Sequence, residues 1–595
     1  MIRTVSHIGA LLIFAGFFSA CAKQNSAGPS GGPADEDPPI VLEAEPPDKT
    51  TNFAASEFRV TFDEFFVLDN VTQKLMISPP FEKTPEVKTK GKTMIVSFEE
   101  ALRDSVTYTF YFLDAIRDLN ENNPIENFQY VFSTGPSIDS LSVTGTILNA
   151  LSLDPGEDVF VMLYSDSNDT LPLTSLPEYI TRATDDGKFR IDNIADGTYS
   201  IYGLTDLNGN KYYDLPDESF AFIDSIINLS AANNFIPSMP DSLTSAADSA
   251  NYLKIPGKEY ELFFFTSDKK DQYLRSTDRK MAYRLDFIFN LPVDSGQFTV
   301  EFPGFEDSRF LRQNSPGNDS ITLWLLDSAM YSTQNLKVLT TYPQTDSTGS
   351  VVAQKDTLSF RYLAPGRPRG RTAEEEPALL ITHNAGGRAG FKPGNKITFI
   401  SDKPLDKIDA SLLDLFLIAD TSRYKMKYGL DIDSTHSNRA ILSYSFIPDS
   451  SYVLSWNRGT FRDIFGNVND SSGLKFTVRN KDSYGTLRMR LSGYTGSVIL
   501  QLLSSDEKLI REDRLVLPDD NEVYYPLLEK GEYMLKTIFD LDGDGKWTTG
   551  NYETGRQPEP VTYYPARIEI KVQWDLEQDW ELNTLNDKNA SLKKK

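Results

Sequence analysis

The chain has 595 residues, of which 24% are charged and 39% hydrophobic. At about 100–200 residues per domain this length makes a multidomain protein, and the composition is that of folded rather than disordered chains. A net charge of −25 disfavours general nucleic-acid binding, and a single cysteine, Cys21, excludes disulfides within the chain and Cys-based zinc sites.

In chain order the first feature is an address. Arg3 supplies a positive start, and Ile8 to Phe18 is an apolar run too short to span a bilayer comfortably. Phe18-Ser19-Ala20-Cys21 sets small residues before the lone cysteine and resembles a bacterial lipobox. The resemblance implies a lipoprotein signal peptide over 1–20, cleavage before Cys21, diacylglyceryl attachment there and acylation of the new N-terminus, with palmitate among the acyl groups. The alternative is an ordinary secretory signal followed by an incidental cysteine. Two or three acyl chains anchor stably where one anchors only marginally. Residues 21–38, rich in Gly, Ser, Pro and Ala, read as a flexible tether. Asp35-Glu36-Asp37 resembles the acidic mark of surface-exported Bacteroidetes lipoproteins, set farther from the cysteine than is usual there. The expected location is the outer membrane, lipid-anchored, with the cell surface favoured over the periplasmic face.

Beyond the tether, short β-type runs are broken by turn residues. Phe58 to Phe62 and Tyr108 to Phe112 place large apolar residues on one face at period two, and Met94 to Phe98 is a further run. Strands at this spacing without intervening helices predict an all-β chain of sandwiches, not a parallel α/β enzyme. Internal similarity sets the organisation. Tyr108 to Arg117-Asp118-Leu119 parallels Tyr452 to Arg462-Asp463-Ile464, and Val60-Thr61-Phe62 parallels Ile397-Thr398-Phe399. With the turn Asp463-Ile464-Phe465-Gly466-Asn467, this layout resembles bacterial Ig-like domains of the S-layer SbsA type. In the first copy Glu121 replaces the turn glycine.

A second repeat is sharper. Gly197-Thr198-Tyr199 leads to Asp206-Leu207-Asn208-Gly209-Asn210, and Gly531-Glu532-Tyr533 leads at the same spacing to Asp540-Leu541-Asp542-Gly543-Asp544. A Gly-Tyr turn opening a core strand resembles transthyretin-like or carboxypeptidase-regulatory-like sandwiches. Asp206 to Phe222 also resembles small extracytoplasmic bacterial sandwiches with a D-x-N-x-N…D…P-x-E…F signature. The predicted order is an SbsA-type domain over 39–136, a transthyretin-like sandwich over 137–230 and a linker over 231–256. An Ig-like β domain follows over 257–365, then a linker over 366–377, a second SbsA-type domain over 378–481, a second transthyretin-like sandwich over 482–585 and a polar tail over 586–595.

The repeated loops carry the candidate chemistry. Asp540, Asp542 and Asp544 are spaced like ligands 1, 3 and 5 of a calcium loop, with the Lys546 carbonyl in place for position 7. The terminal bidentate Glu is missing, because position 12 is Asn551 and Glu553 lies two further on. The earlier loop offers Asp206, Asn208, Asn210, the Tyr212 carbonyl, Asp214 and Asp217. Two readings fit both loops: a structural Ca²⁺, or a turn capped by its own Asp and Asn side chains. No other cofactor is expected. His383 and His436 sit in loops without a nucleophile motif, so no enzyme activity is expected. Tyr212, Tyr213, Trp547, Tyr552, Tyr563 and Tyr564 gather near the loops and either stack on sugars or pack a core. Asp139-Ser140-Leu141, Asp224-Ser225-Ile226, Asp241-Ser242-Leu243, Asp319-Ser320-Ile321 and Asp356-Thr357-Leu358 resemble Bacteroidetes O-glycosylation acceptors, or are simply turn chemistry. These readings together predict a binding or scaffolding lipoprotein held to the membrane through Cys21. Its partner is expected to be an outer-membrane protein or a glycan, and not nucleic acid.

Overall fold

A computed structural model describes residues 36–582 except 127, 166–167, 231–258, 269–270, 307–308, 364–377 and 387–389. Cys21, both predicted linkers, the Asp241-Ser242-Leu243 acceptor and the polar tail therefore lie outside the described residues. The described chain is built from short strands, and the helical pieces among it run only three to five residues.

The first unit pairs a four-stranded sheet with a three-stranded one. In the first sheet Glu57–Phe62 lies between Val41–Glu45 and Thr93–Ser97, with Glu86–Lys90 at the far edge; in the second Thr107–Tyr111 lies between Met76–Ser78 and Gln129–Ser133. Period two decides which face is inside: Phe58, Val60 and Phe62 are buried while Arg59 is exposed. Phe110, Tyr130 and Phe132 fill the space between the sheets, and Tyr130 stacks on Phe58 at 3.8 Å. The fourth unit follows the same plan. Ile397–Ser401 pairs with Ile381–His383 and Arg439–Ser443 in one sheet, and Ser451–Trp456 pairs with Leu413–Ala419 and Ser472–Thr477 in the other.

The second and fifth units share a different topology. In the fifth, Gly485–Ser492 pairs antiparallel with Glu522–Leu528 and parallel with the last strand, Asp575–Glu581. In the second, Leu141–Asn149 pairs antiparallel with Lys188–Ile194 and parallel with Glu259–Thr266. This corrects one expectation. Glu259–Thr266, which falls inside the predicted 257–365 domain, instead closes the sheet of the second unit, which therefore extends past 230. The composition of 231–256 suggests a boundary, but the strand beyond it buries Leu262, paired with Ile147, and Phe265, paired with Phe220, both from before that stretch.

The third unit holds Leu274–Met281, Arg284–Phe289, Ser320–Leu325 and Phe310–Asn314 in one sheet. A long hairpin, Asn335–Thr345 with Val351–Arg361, dominates the other. Arg279 is buried at the end of this unit. Its guanidinium donates to the carbonyls of Ala282, Tyr331, Thr333 and Phe360 at 2.8–3.2 Å, so four backbone acceptors hold the charge.

Candidate functional site

The two repeated loops have the same internal wiring. Asp206 accepts from the N–H groups of Gly209 (2.7 Å) and Lys211 (2.8 Å), and Asp540 accepts from Gly543 (2.8 Å) and Gly545 (3.1 Å). Asn208 accepts from Asn210 N–H and Asp542 from Asp544 N–H, both at 3.1 Å. Asn210 accepts from Tyr212 N–H and Asp544 from Lys546 N–H. The backbone turns left-handed at the sixth loop position in both, at Lys211 with φ 63° and at Gly545 with φ 74°. Glycine adopts this conformation freely, whereas a lysine is strained there.

Each loop is closed by a glutamate that the sequence reading left without a role. Glu218 is fully buried and accepts from the N–H groups of Leu207 (3.1 Å), Asp214 (3.1 Å) and Leu215 (3.0 Å). Glu559 is buried and accepts from Leu541 (2.5 Å), Asp542 (3.4 Å) and Thr548 (2.9 Å). Burial pushes the Glu559 carboxyl above the usual range, against the pull of its backbone donors. The Thr548 hydroxyl, with the Asp544 N–H, holds Asp542 below it. The signal for both glutamates was a proline just upstream, in Pro216-Asp217-Glu218 and in Pro558-Glu559.

Carboxylate oxygens of Asp540, Asp542 and Glu559 lie within 4.8 Å of one another, a spacing that suits a hard cation. This is the one such acidic group among the described residues. Asp544 is not part of it; its exposed carboxylate accepts from Lys546 N–H instead. Glu553, weighed as a terminal ligand, lies outside the group, and Asn551 forms a turn with Arg556 (2.7 Å). In the earlier loop Asn208 and Asn210 donate their amides to Asp214, at 3.0 and 2.8 Å. That loop is cross-braced by its own side chains, whereas the later one concentrates three acids. His436 contacts Thr435 at 2.8 Å within its own turn, and His383 packs edge-on against Trp456.

The aromatic residues near the loops join the two repeats to each other. Tyr552 reaches from the fifth unit onto Phe220, Phe222 and Tyr202 of the second, at ring distances of 4.6, 5.3 and 5.8 Å, and its hydroxyl donates to the Asp169 carbonyl at 2.8 Å. Tyr563 donates to Ser152 O (3.2 Å), and Thr549 to Thr266 O (2.8 Å). Arg556 pairs with Asp268 at 2.7 Å. Leu153 of the second unit is buried among Ile499, Met534, Ile538 and Val561 of the fifth. Sequence reasoning missed this contact because it joins residues some 300–400 positions apart.

The fold thus defines a tandem array of β-sandwich units. Residues 35–134 match the bacterial Ig-like domain family. A search among curated proteins finds no match. Among solved structures, the chain is similar to native alpha-2-macroglobulin from Escherichia coli over domains MG0-NIE-MG1, at 11% identity, covering 46% of this chain and 95% of that one with a TM-score of 0.19. It is also similar to the Bacillus anthracis TIE protein, at 11% identity, 92% of this chain and 75% of that one, TM-score 0.13. Domains 1–6 of the surface layer protein SbsC align at 10% identity over 90% of this chain and 64% of that one, TM-score 0.14. Among the described residues no helix is long and apolar enough to cross a membrane.

Proposed function

We propose that this chain is a non-catalytic lipoprotein of the bacterial cell envelope, of the Bacteroidetes outer-membrane type. In this reading it is lipid-anchored at Cys21 and acts as a binding or scaffolding subunit on an outer-membrane β-barrel machine for assembly, secretion or uptake. The observation that carries the reading is the way each unit is seated on another. The second and fifth units meet through Tyr552. The third and fourth meet through Phe465, whose ring lies 4.6 Å from Tyr283. The first and second meet where Asn193 donates to Thr109 at 2.9 Å. A chain so braced presents its sandwich ends and strand edges in fixed relation, which suits display and docking. The outer strand of the third unit's hairpin, Val351–Arg361, is one such edge, exposed along most of its length.

The test is an affinity pull-down of the tagged lipoprotein from gently solubilised outer membranes, with partners identified by mass spectrometry. A stoichiometric β-barrel partner is expected, and its absence from repeated preparations would overturn the scaffold reading. A second reading, glycan binding, is favoured by a cleft of about 670 Å³ where the second, third and fifth units meet. Tyr213, Tyr273 and Tyr552 line it beside Asp217 and Arg275. Saturable binding on a glycan array, lost in Tyr273→Ala, is the outcome that reading requires.

A further inference from the structure

At one end of the first unit four large apolar side chains stand in solvent: Ile40 is 60% exposed, Leu42 67%, Phe65 54% and Leu119 52%. Hydrogen bonds tie Ile40 and Leu119 to the stretch 63–65 that carries Phe65. The Asp63 carboxylate accepts from Ile40 N–H at 2.7 Å, Asp63 N–H donates back to the Ile40 carbonyl, and Leu119 N–H donates to the Phe65 carbonyl at 3.1 Å. Leu42 lies two residues beyond Ile40, in the edge strand Val41–Glu45 that begins just after it. Lys92 lies over the Phe65 ring, 5.5 Å from its centre. Exposed apolar groups clustered in this way mark a surface that something covers.

At the corresponding end of the fourth unit the third unit covers the Phe465 side, while Leu380 stays 63% exposed. There Ile464 N–H donates to Pro404 O at 3.1 Å, as Leu119 does to Phe65, and Leu380 N–H donates to Asp402 at 3.3 Å, as Ile40 does to Asp63. The third unit is seated on this end. The Phe465 ring lies 4.6 Å from Tyr283 and 6.4 Å from Tyr331, and Lys403 stands 5.4 Å over Tyr283. In both units the chain enters at this end, and in the fourth unit the cover is the part of the chain that comes just before. Before the first unit comes the stretch that leads from Cys21.

We infer that the patch of Ile40, Leu42, Phe65 and Leu119 is a membrane contact, resting in the headgroup region of the bilayer to which the chain is fastened. The inference rests on the lipid-anchor reading for its bilayer. About 20 residues can span at most about 70 Å, so a bilayer holding Cys21 is within reach of this end. Aromatic and aliphatic side chains flanked by a lysine suit headgroup depth. Asp63 and Glu121 beside the patch make a zwitterionic surface a better match than an anionic one.

The test supplies the anchor artificially, so that it does not depend on lipidation. The chain from residue 22, carrying a hexahistidine tag in place of Cys21, is bound to phosphatidylcholine vesicles that contain a nickel-chelating lipid. Asn120→Cys then offers the only thiol for an environment-sensitive dye, and Ser347→Cys at the tip of the third unit's hairpin serves as the distant reference. Nitroxide-labelled lipid should quench the dye at 120 at least about twofold more than at 347. The double substitution Phe65→Ser with Leu119→Ser should bring 120 down to the level of 347. Equal quenching at the two positions, or quenching at 120 that persists in the double variant, would overturn the inference while leaving lipidation at Cys21 untouched. Both side chains are exposed, and Leu119→Ser alone, with an unchanged near-ultraviolet circular dichroism spectrum, guards against a folding artefact.

Discussion

Truncating Tyr552 to alanine tests how the second and fifth units are held together. The ring packs on Phe220, Phe222 and Tyr202, and the hydroxyl donates to the Asp169 carbonyl. Removing an aromatic ring from such packing costs about 2–4 kcal/mol, and the lost hydrogen bond adds about 1 kcal/mol. Each unit keeps its own core, so the loss falls on the contact between them and not on the fold of either. The low end of that sum, about 3 kcal/mol, already corresponds to a roughly hundredfold rise in the open population. Native-state hydrogen exchange should therefore speed up by about that factor at Ser219–Phe222 and across 548–559, with the core strand Gly485–Ser492 unchanged. Tyr424→Ala, on an exposed ring in the fourth unit, should change nothing beyond about 0.5 kcal/mol. Unaltered exchange at Ser219–Phe222 in Tyr552→Ala would refute the docking argument.

Four further outcomes follow from the same geometry. Millimolar calcium should raise the melting temperature of the fifth unit, and the rise should vanish in Asp540→Asn with Asp542→Asn; a melting curve indifferent to calcium would make both loops self-capped turns. Arg279→Ala leaves four carbonyls, that of Phe360 buried, without this donor and should destabilise the third unit by about 2–4 kcal/mol in urea denaturation, against a near-zero effect if solvent takes the place of the guanidinium. Asp186, bonded to Lys188 and Thr184, is held at about 2, below its unfolded range, so its contribution to stability is present at neutral pH and is lost as the pH falls from about 4 towards 2. Asp186→Asn should flatten the acid limb of the denaturation midpoint in that window, and an unchanged limb would count against the assignment. Proteolytic cleavage within 231–258 should leave the two fragments associated on gel filtration, because Glu259–Thr266 is paired with Leu141–Asn149; fragments that separate would refute that pairing.

What could be read from the sequence was local, and what could not was long-range. Phe58, Val60 and Phe62 announce a half-buried strand because side chains alternate across the backbone. Asp540 and Asp542 announce a loop that gathers carboxylates, because the spacing of the residues sets the turn. Glu559 was missed because it reaches the loop from 19 positions downstream of Asp540 and carries no spacing rule. Glu259–Thr266 was assigned to the wrong unit for a related reason: its alternation shows that it is a strand but not which strand it pairs with. The aromatic residues near the loops had a sugar-stacking reading and a packing reading. Tyr552 packs on Phe220 in the core of another unit and also lines the cleft beside Tyr213, so both readings keep a residue there.

The claim on which the functional account depends is that Cys21 fastens the chain to a membrane. Cells expressing the wild-type chain or Cys21→Ser are fed a clickable palmitate analogue, and the purified protein is examined for label and for membrane fractionation. The account predicts a labelled, membrane-bound wild type and an unlabelled Cys21→Ser chain released from the membrane. An unlabelled wild type that is recovered free of the membrane would contradict it.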